Sequence, residues 1–185
     1  FLVPFSLEVI KKNISTSADS SKEIYKEQII KKAIKFYLSG DIDEAVKQYK
    51  YLINRGFKDH RVFSNYAEIL IKCSKPHEAE ILIRKAIKTK PFFAKDYSNL
   101  GSILIDFGKL TEAEITIQKA IKINKNLADA HCQMGRLMIK LGKLSEAISS
   151  IVRALKIDPN HSESNLYQGA IFKNLGKLNE AEIYI

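Results

Sequence analysis

No run of eighteen apolar residues occurs anywhere in the 185 residues, which excludes a transmembrane helix. Cysteine is scarce. Cys73 and Cys132 stand 59 positions apart, so there is no disulfide framework, and the usage fits a reducing compartment and an expected cytoplasmic location. The opening Phe1-Leu2-Val3-Pro4-Phe5 is too short for a signal-peptide core, and no basic segment precedes it. The four histidines, His60, His77, His131 and His161, are dispersed, and none begins a metal-ligand spacing. Neither cysteine sits in the electropositive setting of an activated thiol, and no glycine-rich loop could cradle a phosphate. No cofactor, no metal and no catalysis are therefore expected of this segment. Acidic residues are also in deficit, 21 against 30 lysines and arginines, for a net charge of +9. What remains, 45% hydrophobic and 28% charged, is the balance of a folded chain long enough for one domain or a short array of small repeats.

The chain repeats itself. Tyr97-Ser98-Asn99-Leu100-Gly101 aligns with His131-Cys132-Gln133-Met134-Gly135 at an offset of 34. Phe107-Gly108-Lys109-Leu110-Thr111-Glu112-Ala113 recurs as Leu141-Gly142-Lys143-Leu144-Ser145-Glu146-Ala147, and again from Leu175 to Ala181. The register extends back through Ser74–Ala79 and Gly40–Ala45. Five units follow: 26–59, 60–93, 94–127, 128–161 and a shortened 162–185. Residues 1–25 form a leader, read as a short helix capped by Ser6 and then a polar linker from Asn13 to Ser21.

Of eight glycines, Gly101, Gly135 and Gly169 share one phase, and Gly40, Gly108, Gly142 and Gly176 share another. The first phase suits a close approach of two helices, the second a left-handed helix end opening a turn. Leu100, Ile103, Leu104 and Phe107 fall at i, i+3, i+4, i+7, and Ala113, Ile117, Ala120 and Ile121 trace a second apolar stripe. Lys90-Pro91 and Asp158-Pro159 break the second helix. Each unit thus reads as two helices joined by a tight turn.

This pattern resembles the tetratricopeptide repeat. The fourth unit meets it with His131, Met134-Gly135, Met138, Ala147, Ile151, Ala154 and Pro159. The third meets it with Tyr97, Leu100-Gly101, Leu104, Ala113, Ile117 and Ala120, with Lys125 in place of Pro. The second has Ala67 and Ser74 for the two glycines, and the first has Leu52 at the second Ala place. The resemblance implies an all-α solenoid of stacked antiparallel helix hairpins in a right-handed superhelix, with first helices lining a concave groove. It implies a bacterial-type interaction scaffold that binds an extended peptide or a partner helix.

In that arrangement the sixth position of each unit faces inward and reads Lys31, Asn65, Asn99, Gln133 and Tyr167. Asn65, Asn99 and Gln133 are either a carboxamide ladder against a peptide backbone or simply the polar side chains of an exposed helix face. Ser64, Ser98, Lys95 and Arg136 are expected nearby, with Cys132 facing the groove and His131 filling the core. A clamp on a terminal carboxylate is not expected, because convergent cations are missing.

By unit the net charges run +3, +4, +1, +2 and −1. Lys85/Lys88, Lys119/Lys122 and Arg153/Lys156 repeat on the outer helices, a basic stripe or a solvated face. Nucleic-acid binding is not expected, since aromatics are not interleaved with the stripe. The chain stops at Ile185 inside an outer helix, so further sequence is expected to follow, with self-association through the bare end in its absence. The alternative function is the non-catalytic front of a larger sulfotransferase or glycosyltransferase, on the resemblance of the Pro4-Phe5-Ser6-Leu7 leader.

Overall fold

The computed structural model describes the backbone of residues 7–174 and the side chains of residues 20–173. The shortened end of the fifth unit and the start of the leader lie outside these residues, as do the expectations placed on them. Nine helices and no strand occur among the described residues: α1 (Leu7–Leu38), α2 (Ile42–Asn54), α3 (His60–Lys72), α4 (Pro76–Thr89), α5 (Ala94–Asp106), α6 (Leu110–Ile123), α7 (Ala128–Lys140), α8 (Leu144–Ile157) and α9 (Ser162–Asn174). They pair as hairpins α1/α2, α3/α4, α5/α6 and α7/α8, and each second helix also packs on the first helix of the next unit. The architecture is an all-α solenoid.

One expectation is corrected. The segment read as a polar linker, Asn13 to Ser21, is helical, continuous with α1 on both sides. Serine, threonine and asparagine cost a helix interior only about 0.7 kcal/mol or less each. After Pro4 no glycine or proline occurs before Gly40, so nothing stops the helix. Its later part is tied to α3 by charge. Asp59 caps α3 through the Arg61 amide at 2.9 Å, receives Lys26 at 3.1 Å, and Arg61 in turn pairs with Glu27 of α1. Burial alone would raise the Asp59 carboxyl, but hydrogen bonds from Arg61 and Lys26 hold it at about 2.

The core repeats with the sequence. Ala45, Ala79, Ala113 and Ala147 are fully buried at one phase, and Tyr49, Ile83, Ile117 and Ile151 at another. Leu52, the departure noted in the first unit, is as buried as Ala86, Ala120 and Ala154 in the others. Between the helices of one hairpin the close-approach glycines have no room for a side chain. A methyl on Gly135 would sit 2.5 Å from Ile151 Cδ1 and 3.3 Å from the Ala147 carbonyl oxygen, and one on Gly101 would run into Ile117 Cγ1.

The turn glycines act differently. Gly40, Gly108 and Gly142 adopt φ of +83°, +70° and +73° with open space around them, so they are required for backbone conformation alone. The amide after each bonds five residues back, as in Lys109 to the Leu104 carbonyl at 2.9 Å, which closes the orphan carbonyls of the helix end. Gly56 ends α2 in the same way, with its neighbour Phe57 bonded to Leu52, so the one glycine outside the repeat pattern is also a helix stop. In the second unit Ser74 holds the turn at φ +56°. A left-handed non-glycine residue costs about 1–2 kcal/mol, and glycine forfeits part of the saving to chain entropy. Ser74→Gly should therefore stabilise the protein by roughly 0.5–1 kcal/mol, seen as a higher urea midpoint; a lower one would contradict the reading of this turn.

Candidate functional site

The first helices carry a polar stripe at i, i+4, i+7, i+11 on the side not packed against their hairpin partners: Arg61, Asn65, Glu68, Lys72 on α3; Lys95, Asn99, Ser102, Asp106 on α5; Asp129, Gln133, Arg136, Lys140 on α7. Successive stripes are close enough to link across helices. Glu68 receives Lys95 at 3.0 Å from α5 and the Tyr37 hydroxyl at 3.2 Å from α1, with Lys72 at 3.6 Å. Burial would raise the Glu68 carboxyl, yet the two lysines and Tyr37 bring it below its ordinary value. Arg136 donates to Ser102 at 3.0 Å and pairs with Asp106, both on α5. Gln133 donates to Glu163 of α9 at 3.0 Å.

The three carboxamides expected as a ladder differ in what they have left to offer. Gln133 is only 6% exposed, and its amide oxygen also receives Arg136 at 3.4 Å, so both ends are engaged within the array. Asn65 donates to the Tyr49 hydroxyl at 3.3 Å. Asn99 is half-buried and hydrogen-bonded at neither end, between the Lys95–Glu68 and Arg136–Asp106 pairs.

Two further expectations are corrected. Ser64 and Ser98 are buried rather than open to the groove, at 6% and 1% exposure, and Cys132 at the same phase is fully enclosed. One residue before the amide position is a turn of about 100° around the helix, which aims this phase at the next repeat. Burial pushes the Cys132 thiol up to about 12, so it stays protonated. His131 is half-buried rather than core, and its Nε2 meets the Lys125 carbonyl at 2.9 Å. Tyr97 and Asn165 make the same bond to the carbonyl six residues back, at Pro91 and Pro159. The phase is therefore a tie to the inter-repeat turn, served by side-chain donors as different as Tyr, His and Asn.

A polar cluster that the repeat pattern did not announce joins α3 to α5. Asp96 is fully buried and accepts from Ser64 Oγ at 2.5 Å; His60 Nε2 lies 3.2 Å from its other oxygen, without the alignment of a hydrogen bond. Burial raises the Asp96 carboxyl, against the pull of Ser64 and His60, and burial lowers the His60 imidazole. The sequence carried one signal for it: Val62 and Ala130, at the same place in neighbouring units, are apolar. Among the described residues no three His, Cys, Asp or Glu side chains converge as metal ligands would. No helix there is long and apolar enough to cross a membrane.

Two family models of the tetratricopeptide repeat match the sequence, one over residues 97–127 and one over 128–161. Solved structures share the fold at low identity. A thermophilic tetratricopeptide-repeat protein of Thermus thermophilus superposes with a TM-score of 0.75 at 18% identity, over 86% of this chain and 87% of that one. MamA of Desulfovibrio magneticus RS-1 gives 0.67 at 14%, over 86% and 90%. YrrB, a tetratricopeptide-repeat protein with an unusual peptide-binding site, gives 0.64 at 18%, over 91% and 87%. No curated protein matches the sequence. The repeat matches and the stacked hairpins make this chain a tetratricopeptide-repeat array.

Proposed function

We propose that the array is a protein-interaction scaffold whose inner face holds an extended peptide, with Asn99 as the central contact to the peptide backbone. The observation that carries this reading is the free amide of Asn99, half-buried at the middle of the polar stripe with no partner of its own. A carboxamide offers a donor and an acceptor together, which matches the unpaired N–H and C=O of an extended segment. A helix would bring a backbone already satisfied internally. The flanking ion pairs are partly exposed, with Lys95 at 42% and Asp106 at 49%, so each contributes under about 1 kcal/mol and is free to exchange partners with charges on a ligand. The peptide-binding site of YrrB, a protein of the same fold, lends support.

Peptides selected from a random displayed library against the full chain provide the test. Asn99→Ala should weaken the selected peptide at least about tenfold, the equivalent of two hydrogen bonds, with thermal unfolding unchanged. Asn65→Ala should cost less, and Gln133→Ala should act mainly on stability, by removing the donor to Glu163. Undiminished affinity in Asn99→Ala would sink the proposal.

A further inference from the structure

The first and second units are the most basic, and their junction holds a cleft of about 540 Å³ on the side of the array formed by the ends of α2 and α4 and the start of α3. Its floor is apolar: Ile53, Phe57 and Phe63, the last only 6% exposed. Its rim carries Lys58, Lys85 and Lys88, all exposed, and none of the three ammonium groups makes an ion pair or hydrogen bond. A second hollow of about 440 Å³ shares Gly56 and Phe57 with it and adds Lys22 and Arg55. No acidic residue lines either hollow. The nearest acids along the chain, Glu23 and Asp59, are both engaged by Lys26.

The equivalent place one repeat later carries a different ring. There the ring at the turn-tying phase is Tyr97, whose hydroxyl bonds the Pro91 carbonyl at 3.0 Å, and Lys119 lies over its face at 4.6 Å. Phe63 occupies that phase here and has no hydroxyl to reach the Phe57 carbonyl. Lys85, the counterpart of Lys119, is left facing solvent at the rim. The turn-tying bond of Tyr97 is thus absent at this junction, where the Phe63 ring forms part of the floor instead.

We infer that this cleft is a second docking site, independent of the inner groove, for an acidic peptide segment that inserts one aromatic or branched aliphatic side chain onto Ile53, Phe57 and Phe63 while its carboxylates meet Lys58, Lys85 and Lys88. A recessed apolar floor ringed by cations suits an anchor side chain between acidic residues better than a flat layer of lipid headgroups. It also gives the basic outer phase of the second unit a role that its counterpart in the third unit, occupied with Tyr97, does not share.

The test titrates the full chain with a synthetic hexapeptide, Glu-Asp-Phe-Leu-Glu-Asp, and with two controls: the same length with lysine for each acid, and with Gly-Ser for Phe-Leu. The acidic peptide should bind in the range below millimolar, weaken as salt is raised, and exceed each control at least about tenfold. Lys85→Glu/Lys88→Glu should reduce its affinity at least tenfold. Equal binding of the lysine peptide, or binding abolished by Asn99→Ala but untouched by the lysine pair, would overturn the inference. So would an acidic peptide that fails to bind while phosphatidylserine vesicles retain the protein through the same lysines, which would make the patch a membrane contact.

Discussion

Asp96→Ala is expected to destabilise the array by about 3 kcal/mol, because it strands two buried polar groups at once. Ser64 Oγ loses the acceptor it meets at 2.5 Å, and His60 loses the carboxylate beside it in a site with no solvent access at Asp96. Asp96→Asn should cost far less. Burial already favours the uncharged carboxyl, and the amide keeps an oxygen where Ser64 donates. Urea unfolding of the two variants separates the readings: a midpoint drop confined to the alanine variant is expected. Equal drops would mean that the charge itself holds α3 to α5.

Gly135→Leu is expected to cost about 3 kcal/mol or more, by overpacking rather than by loss of a contact. The new Cβ alone falls 2.5 Å from Ile151 Cδ1, and 3.3 Å from the backbone oxygen of Ala147, which cannot turn aside as a side chain can. Units of a solenoid contact only their neighbours, so the damage should be regional. Amide exchange should accelerate through α7 and α8 while α1 to α4 keep their protection. Gly142→Ala makes the contrast: nothing lies near its Cβ, and the cost should be only the roughly 1–2 kcal/mol of a left-handed alanine. Similar exchange profiles for the two variants would contradict the distinct roles given to the two glycine phases.

The hairpins were legible in the sequence because each rests on contacts inside one repeat. Gly108 and Gly142 fix the turns, Ala113 and Ala147 the second helices, and all recur at 34 residues. Asn13 to Ser21 misled because its serines and asparagine mark a loop only by preference, and only glycine or proline would have enforced one. The groove was legible in part. The resemblance to the tetratricopeptide repeat implied an inward phase for Asn99, but whether its amide was free depended on which side chains the next repeat brings alongside. Gln133 is closed off largely because Glu163 of the next unit faces it, and Ser98 is buried because the adjacent unit covers its side of the helix. Those are properties of how repeats stack, and a single repeat does not encode them.

The most direct measurement is a pair of ¹H–¹⁵N spectra of the full chain, free and saturated with a library-selected peptide that binds Lys85→Glu/Lys88→Glu equally well. The expected result is a shift of the Asn99 side-chain amide together with backbone signals on the inner faces of α5 and α7, absent when Asn99→Ala is titrated in the same way. Shifts confined to the outer helices α4, α6 and α8, with the Asn99 amide unmoved, would contradict a peptide held on the inner face.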